Sequence, residues 1–99
     1  MYVVRDVFRC KPGQAKEIAR RFRAAFEALE AAGEPGSGRI LVDAVADYWT
    51  VVLESEVADL AEFERHMAAW GKVPAVAEIM RGYMDLVDGG RREIFRVVA

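Results

Sequence analysis

Asp6 sits between Val4 and Phe8 in a segment whose alternate residues, Tyr2, Val4, Asp6, Phe8 and Cys10, would share one face of a β-strand. A carboxylate on an otherwise apolar face is either buried or borders a cavity. Without a partner it would be costly to bury, and carboxylates in such places can serve as general bases. The alternative is a structural ion pair with an arginine at the sheet edge or at a subunit interface. His66 is the chain's one histidine. It follows Phe63 by three residues and precedes Trp70 by one helical turn, so it borders an apolar helix stripe. Facing a pocket, it would be an acid–base group; as a boundary residue it would be partly exposed and inert. Asp6 and His66 are therefore the candidate catalytic pair.

Around them, Phe63, Trp70 and Tyr83 are the candidate ligand-binding residues, because aromatic side chains at these positions could line a cleft for a flat organic molecule. Trp49 and Tyr48 could do the same, although aromatics at strand and helix spacing more often fill core. Met67, Met80 and Met84 suggest adaptable packing. One histidine and one cysteine cannot build a multi-histidine or thiolate metal site, so no metal is expected. Cys10, beside Lys11, could have a modestly lowered pKa, but no base accompanies it. Ser37, flanked by glycines, fits no phosphate-binding loop, since no Gly-Lys-Ser/Thr pattern follows.

The elements that would position these residues follow from periodicity. Residues 2–10 read as a strand, stopped by Lys11-Pro12-Gly13. From Gln14 to Ala32 the period becomes helical, with Ile18, Phe22, Ala25, Phe26 and Leu29 on one stripe. The breaker-rich stretch from Gly33 to Gly38 ends that helix. Residues 39–45 and 48–54 read as two strands joined by a tight turn at Ala46-Asp47. A second helix is expected over Val57 to Trp70, and a third from Pro74, carrying Val76, Ile79, Met80, Tyr83 and Val87 inward. Gly89-Gly90 reads as its stop, and Arg91 to Val98 as the last strand.

The resulting βαββαβ order predicts one α+β domain over residues 1–99: a ferredoxin-like, four-stranded antiparallel sheet with its helices on one face. Neither face of the first, third or last strand reads as clearly polar. Cover for the open face is therefore expected from a second copy, making a homodimer. The totals agree with a small globular domain: 99 residues, 54% of them apolar, with a formal net charge of −2. That charge argues against a nucleic-acid partner. Arg20, Arg21 and Arg23, like Arg91 and Arg92, have glutamates among or beside them and read as solvated surface. No apolar stretch is long enough to span a bilayer, charge interrupts the first apolar run at Arg5, and the single thiol suits a reducing compartment. A soluble, cytoplasmic protein is expected.

Lys11-Pro12-Gly13 running into Gln14-Ala15-Lys16-Glu17 resembles the dimeric α/β-barrel proteins, as does Val51-Val52-Leu53-Glu54 before the second helix. These include the antibiotic-biosynthesis-monooxygenase-like and NIPSNAP-like groups. The closing Gly89-Gly90-Arg91-Arg92-Glu93-Ile94-Phe95-Arg96-Val97 is similar to the tail of NIPSNAP-like domains in particular. The resemblance implies a ferredoxin-like subunit whose sheet closes into a barrel with its partner's. It also places Asp6 where haem-degrading relatives carry a functional asparagine. The tryptophan and histidine those enzymes use are not reproduced at matching positions, so neither haem nor any other cofactor is expected. Two functions fit. One is a binding or interaction module with an apolar cleft for a small organic molecule. The other is a cofactor-independent monooxygenase or isomerase acting on a small aromatic or polyketide-like substrate.

Overall fold

The computed structural model of the chain describes residues 1–36 and 38–99, so the reading of Ser37 falls outside the described residues. Within them the chain runs β1 (Tyr2–Cys10), α1 (Ala15–Ala31), β2 (Arg39–Val42), β3 (Thr50–Val57), α2 (Leu60–Trp70), α3 (Pro74–Ile79), a 3₁₀ turn (Tyr83–Leu86) and β4 (Val87–Arg96). The strands pair antiparallel in the order β2-β3-β1-β4. This is the ferredoxin-like α+β arrangement that the element order predicts. At 35 × 35 × 17 Å, the domain is a flat, two-layer slab.

α1 is the layer's anchor. Ala15, Ile18, Phe22, Ala25 and Leu29 recur at three- and four-residue steps, and all five are buried. Its end is closed by paired bonds from Gly33 N–H to the Glu30 carbonyl and from Glu34 N–H to the Leu29 carbonyl. Gly33, at φ +77°, supplies the left-handed residue that this closure requires. Cys10, Ala15, Ile18, Phe22 and Val51 form one buried cluster between α1 and the sheet. A second, made by Ala25, Leu29, Ala69, Val73 and Val76, joins α1 to α2 and α3.

α2 is held differently. Asp59 caps it by accepting from the Glu62 N–H at 2.8 Å, and the Glu62 carboxylate accepts from the Ala58 N–H at 2.6 Å. Yet Ala69 is the only residue of α2 that is buried. The helix is well capped but stands off the sheet.

Several boundaries differ from the periodicity. Val57 is not the start of α2 but the last residue of β3, and it is fully buried; the Asp59 cap moves the helix start to Leu60. The loop before β3 is longer than a tight turn. Its residues are held by Asp43 Oδ1, which accepts from the Thr50 N–H at 2.8 Å, and by the Thr50 hydroxyl, which donates to the Asp47 carbonyl at 2.7 Å. Tyr48 therefore lies in an exposed loop rather than in a strand. Trp49, just before β3, adopts φ +64°, a conformation rare for a bulky side chain.

Gly89-Gly90 is not a helix stop. α3 ends at Ile79, and the left-handed residue follows at Gly82. Tyr83 consequently opens the 3₁₀ turn, Val87 begins β4, and both glycines lie within that strand. A Cβ on Gly90 would stand 2.0 Å from the Val7 carbonyl oxygen. The glycine is there because β1 approaches too closely for any side chain.

The open face of the sheet mixes charged and apolar side chains, as the sequence pattern suggests. Period-two alternation puts Val3, Arg5, Val7 and Arg9 of β1 on it, beside Val52 and Glu54 of β3. Arg5 lies 3.4 Å from Glu54, which also pairs with Arg39 across the β2–β3 ladder; Arg91 lies 3.6 Å from Glu93. Val7 and Val52 are nonetheless buried. Leu41 of β2, opposite Val52, and Phe95 of β4, opposite Val3, lie on the same face, and Phe95 is half exposed. The face is an apolar band crossed by arginine–glutamate pairs.

Candidate functional site

Because α2 stands off the sheet, a cleft of about 320 Å³ opens beneath it. Val4, Asp6 and Phe8 of β1 and Leu53 of β3 form its floor. Phe22 and Phe26 of α1 make one wall, and Phe63, His66, Met67 and Trp70 of α2 the other. Met80 and Tyr83 close one end, and Arg92 reaches in from β4. The structure thus brings all five candidate residues, Asp6, His66, Phe63, Trp70 and Tyr83, to one cleft. Its walls are aromatic and interlocked: the Phe8 and Phe22 rings lie 5.0 Å apart, and Trp70 meets Phe22 and Phe26 edge-on at 6.2 and 6.0 Å. Trp70 and Met80 also pack against both buried clusters, so part of this lining is fixed by the core.

Asp6 is not a partnerless carboxylate. It stands directly opposite Arg92 in the β1–β4 register, and Arg92 Nε donates to its Oδ1 at 2.5 Å. The Asp6 side chain is 18% exposed and that of Arg92 45%, so the pair sits at the border between floor and water. The guanidinium lies over the Phe63 ring, 5.1 Å from its centroid, with Nη2 3.9 Å from the Met67 sulfur. Arg92 therefore lines the cleft as well as meeting solvent. Strand parity alone puts it on the face of Asp6, but the pairing rests on a register between residues 86 apart in sequence.

His66 Nε2 lies 3.6 Å from Glu62 Oε1, the carboxylate that also closes the α2 cap. The capping group thus lies within ion-pairing range of the ring. Cys10, buried at the end of the floor strand, is held the opposite way from the expectation of a lowered pKa. Burial pushes its thiol up, and the negative charges of Asp43 and Asp88 add to that. Among the described residues no three His, Cys, Asp or Glu side chains converge in a way that could hold a metal ion.

Chemically, the cleft offers an aromatic body pocket and two polar edges, an Asp–Arg pair and a histidine backed by glutamate. No family model matches the sequence, and neither does any curated protein. Solved structures match its fold closely. A NIPSNAP-like domain protein from Burkholderia xenovorans is 19% identical, with a TM-score of 0.76 over 99% of this chain and 85% of that one. A NIPSNAP family protein from Agrobacterium tumefaciens is 13% identical, with a TM-score of 0.77 over 96% and 90%. A candidate antibiotic biosynthesis monooxygenase from Nitrosomonas europaea is 17% identical, with a TM-score of 0.68 over the whole of both chains. The chain therefore has the fold of NIPSNAP-like and antibiotic-biosynthesis-monooxygenase-like domains, as its Lys-Pro-Gly turn and its tail imply. It is a small α+β domain of that architecture.

Proposed function

We propose that the protein is a homodimeric binding module that holds a small, flat organic molecule in the cleft between the sheet and α2. The observation that carries this reading is the contrast between the helices. α1 is packed tightly, whereas α2 is well capped yet buries one alanine, leaving its aromatic residues around an open space. A volume of about 320 Å³ is at the small end of ordinary ligand sites. A second copy on the open sheet face is supported by the half-exposed Phe95 there and by arginines and glutamates able to pair across a two-fold axis. The buried thiol suits a cytoplasmic setting. Among the described residues no helix is long and apolar enough to cross a membrane.

A second reading, a cofactor-independent monooxygenase or isomerase, draws on one observation: two titratable side chains, Asp6 and His66, border the same cleft. Asp6 is held by Arg92, and His66 lies beside Glu62.

The neutral probe N-phenyl-1-naphthylamine tests the binding reading. Saturable binding of one probe per chain is expected, followed by the probe's own emission. Ala77→Trp, placed on the lining to fill the space, should abolish it. Binding that is absent, or indifferent to Ala77→Trp, would refute the cleft as a ligand site.

A further inference from the structure

We infer that the cleft takes an organic anion, with a flat apolar body against the aromatic walls and one anionic oxygen group received by Arg92. This rests on the reading of the cleft as a ligand site.

A guanidinium is always charged and carries five N–H donors in a plane. In Arg92, Nε is committed to Asp6, and Nη2 faces only the Met67 sulfur, a weak acceptor. Among the described residues the remaining N–H groups have no acceptor. The face of the group is occupied by Phe63, so its donors are left along the edge, at a group that lines the cleft. Asp6 thus works as a clamp: by holding Nε it fixes the plane of the guanidinium and leaves the Nη end free for a planar oxyanion.

The other charges around the cleft do not oppose an anion. Glu54 is turned to Arg5 and Arg39 on the open face. Glu62 is engaged by the Ala58 N–H at the top of α2 and lies beside His66. His66 itself borders the cleft and is a second group able to donate. The cleft is thus bordered by one engaged carboxylate, Asp6, and by two side chains that can offer an N–H to a ligand oxygen.

Two probes that share one body separate the anion from the body: 1-anilinonaphthalene-8-sulfonate and the neutral N-phenyl-1-naphthylamine. In a Trp49→Phe background, Trp70 is the only tryptophan, and its quenching reports the cleft. Arg92→Gln should weaken the sulfonate about tenfold or more, as expected for a charge-assisted hydrogen bond, and leave the neutral probe within about twofold. Arg92→Lys, which keeps the charge but loses the planar fork, should fall between. Arg92→Gln leaves Asp6 unpaired, so the double variant Asp6→Asn/Arg92→Gln repeats the measurement with both charges gone and should lose the sulfonate alone. Equal weakening of both probes, or no weakening of the sulfonate in either variant, would overturn the assignment and leave the cleft itself standing as a neutral site. Failure of the Trp49→Phe protein to bind either probe would remove the cleft reading and this inference together.

Discussion

Asp6→Asn keeps the side chain's shape and removes its charge, leaving Arg92 without its partner on the floor of the cleft. Because Arg92 is nearly half exposed, water can take over part of that role, and the loss should be about 1 kcal/mol. For a domain of this size that lowers the melting temperature by roughly 4–8 °C, with Asp6→Ala similar. An unchanged melting temperature together with a lost ligand response would instead place the role of Asp6 in the cleft, as the clamp on Arg92 or in contact with the ligand. That Asp6, His66 and Trp70 could border one cleft is legible in the sequence; the place of Tyr83, which reads there as helical and opens the 3₁₀ turn, is not. Two-residue alternation groups Asp6 with Val4 and Phe8, and helical spacing groups Phe63, His66 and Trp70 on one side of α2; which sheet face meets the helices is given by the fold alone. The part played by Arg92 is not legible there, because its place depends on the alignment of two strands from opposite ends of the chain.

Among the elements, the β1 and α1 boundaries can be read almost to the residue because a period of two gives way to a clean stripe at three and four. β4 is harder: Gly89-Gly90 looks like punctuation, and its purpose emerges only against the Val7 carbonyl. Gly90→Ala would force β4 away from β1. A destabilisation of about 1–3 kcal/mol is expected in chemical denaturation, the usual cost of overpacking; a neutral result would mean that the strands can separate freely there. On α1, Glu17 is held down to about 2, from an ordinary value of 4.5, by hydrogen bonds from Arg20 and Arg21. Arg21 in turn donates to the Arg81 carbonyl at 2.7 Å, tying α1 to the segment after α3. A carboxylate whose pKa is depressed by folding contributes stability above its ordinary value and loses it as pH falls towards the folded one. Glu17→Gln should therefore flatten the decline in stability between about pH 4.5 and 2. The effect should be small because the group is exposed, and an unaltered acid profile would show that the pair contributes nothing.

For the whole molecule, the expected assembly is two chains joined across the open sheet face. Light scattering at micromolar concentration should give the mass of two chains, and Phe95→Glu, which puts a charge at the exposed part of that face, should give that of one. A wild-type mass of one chain would leave the face as a self-sufficient charged surface. The division of labour between the helices has a further consequence, for how such a domain can change over time. Stability is concentrated in α1 and the sheet, while Phe63 of α2 is only partly buried and Met67 is exposed, and neither belongs to a buried cluster. Substitutions on that side of the cleft can alter what fits inside while leaving the core intact, since changes away from packed positions are usually mild. A scaffold partitioned in this way is free to acquire a new ligand by a handful of single-residue steps, each of which still folds.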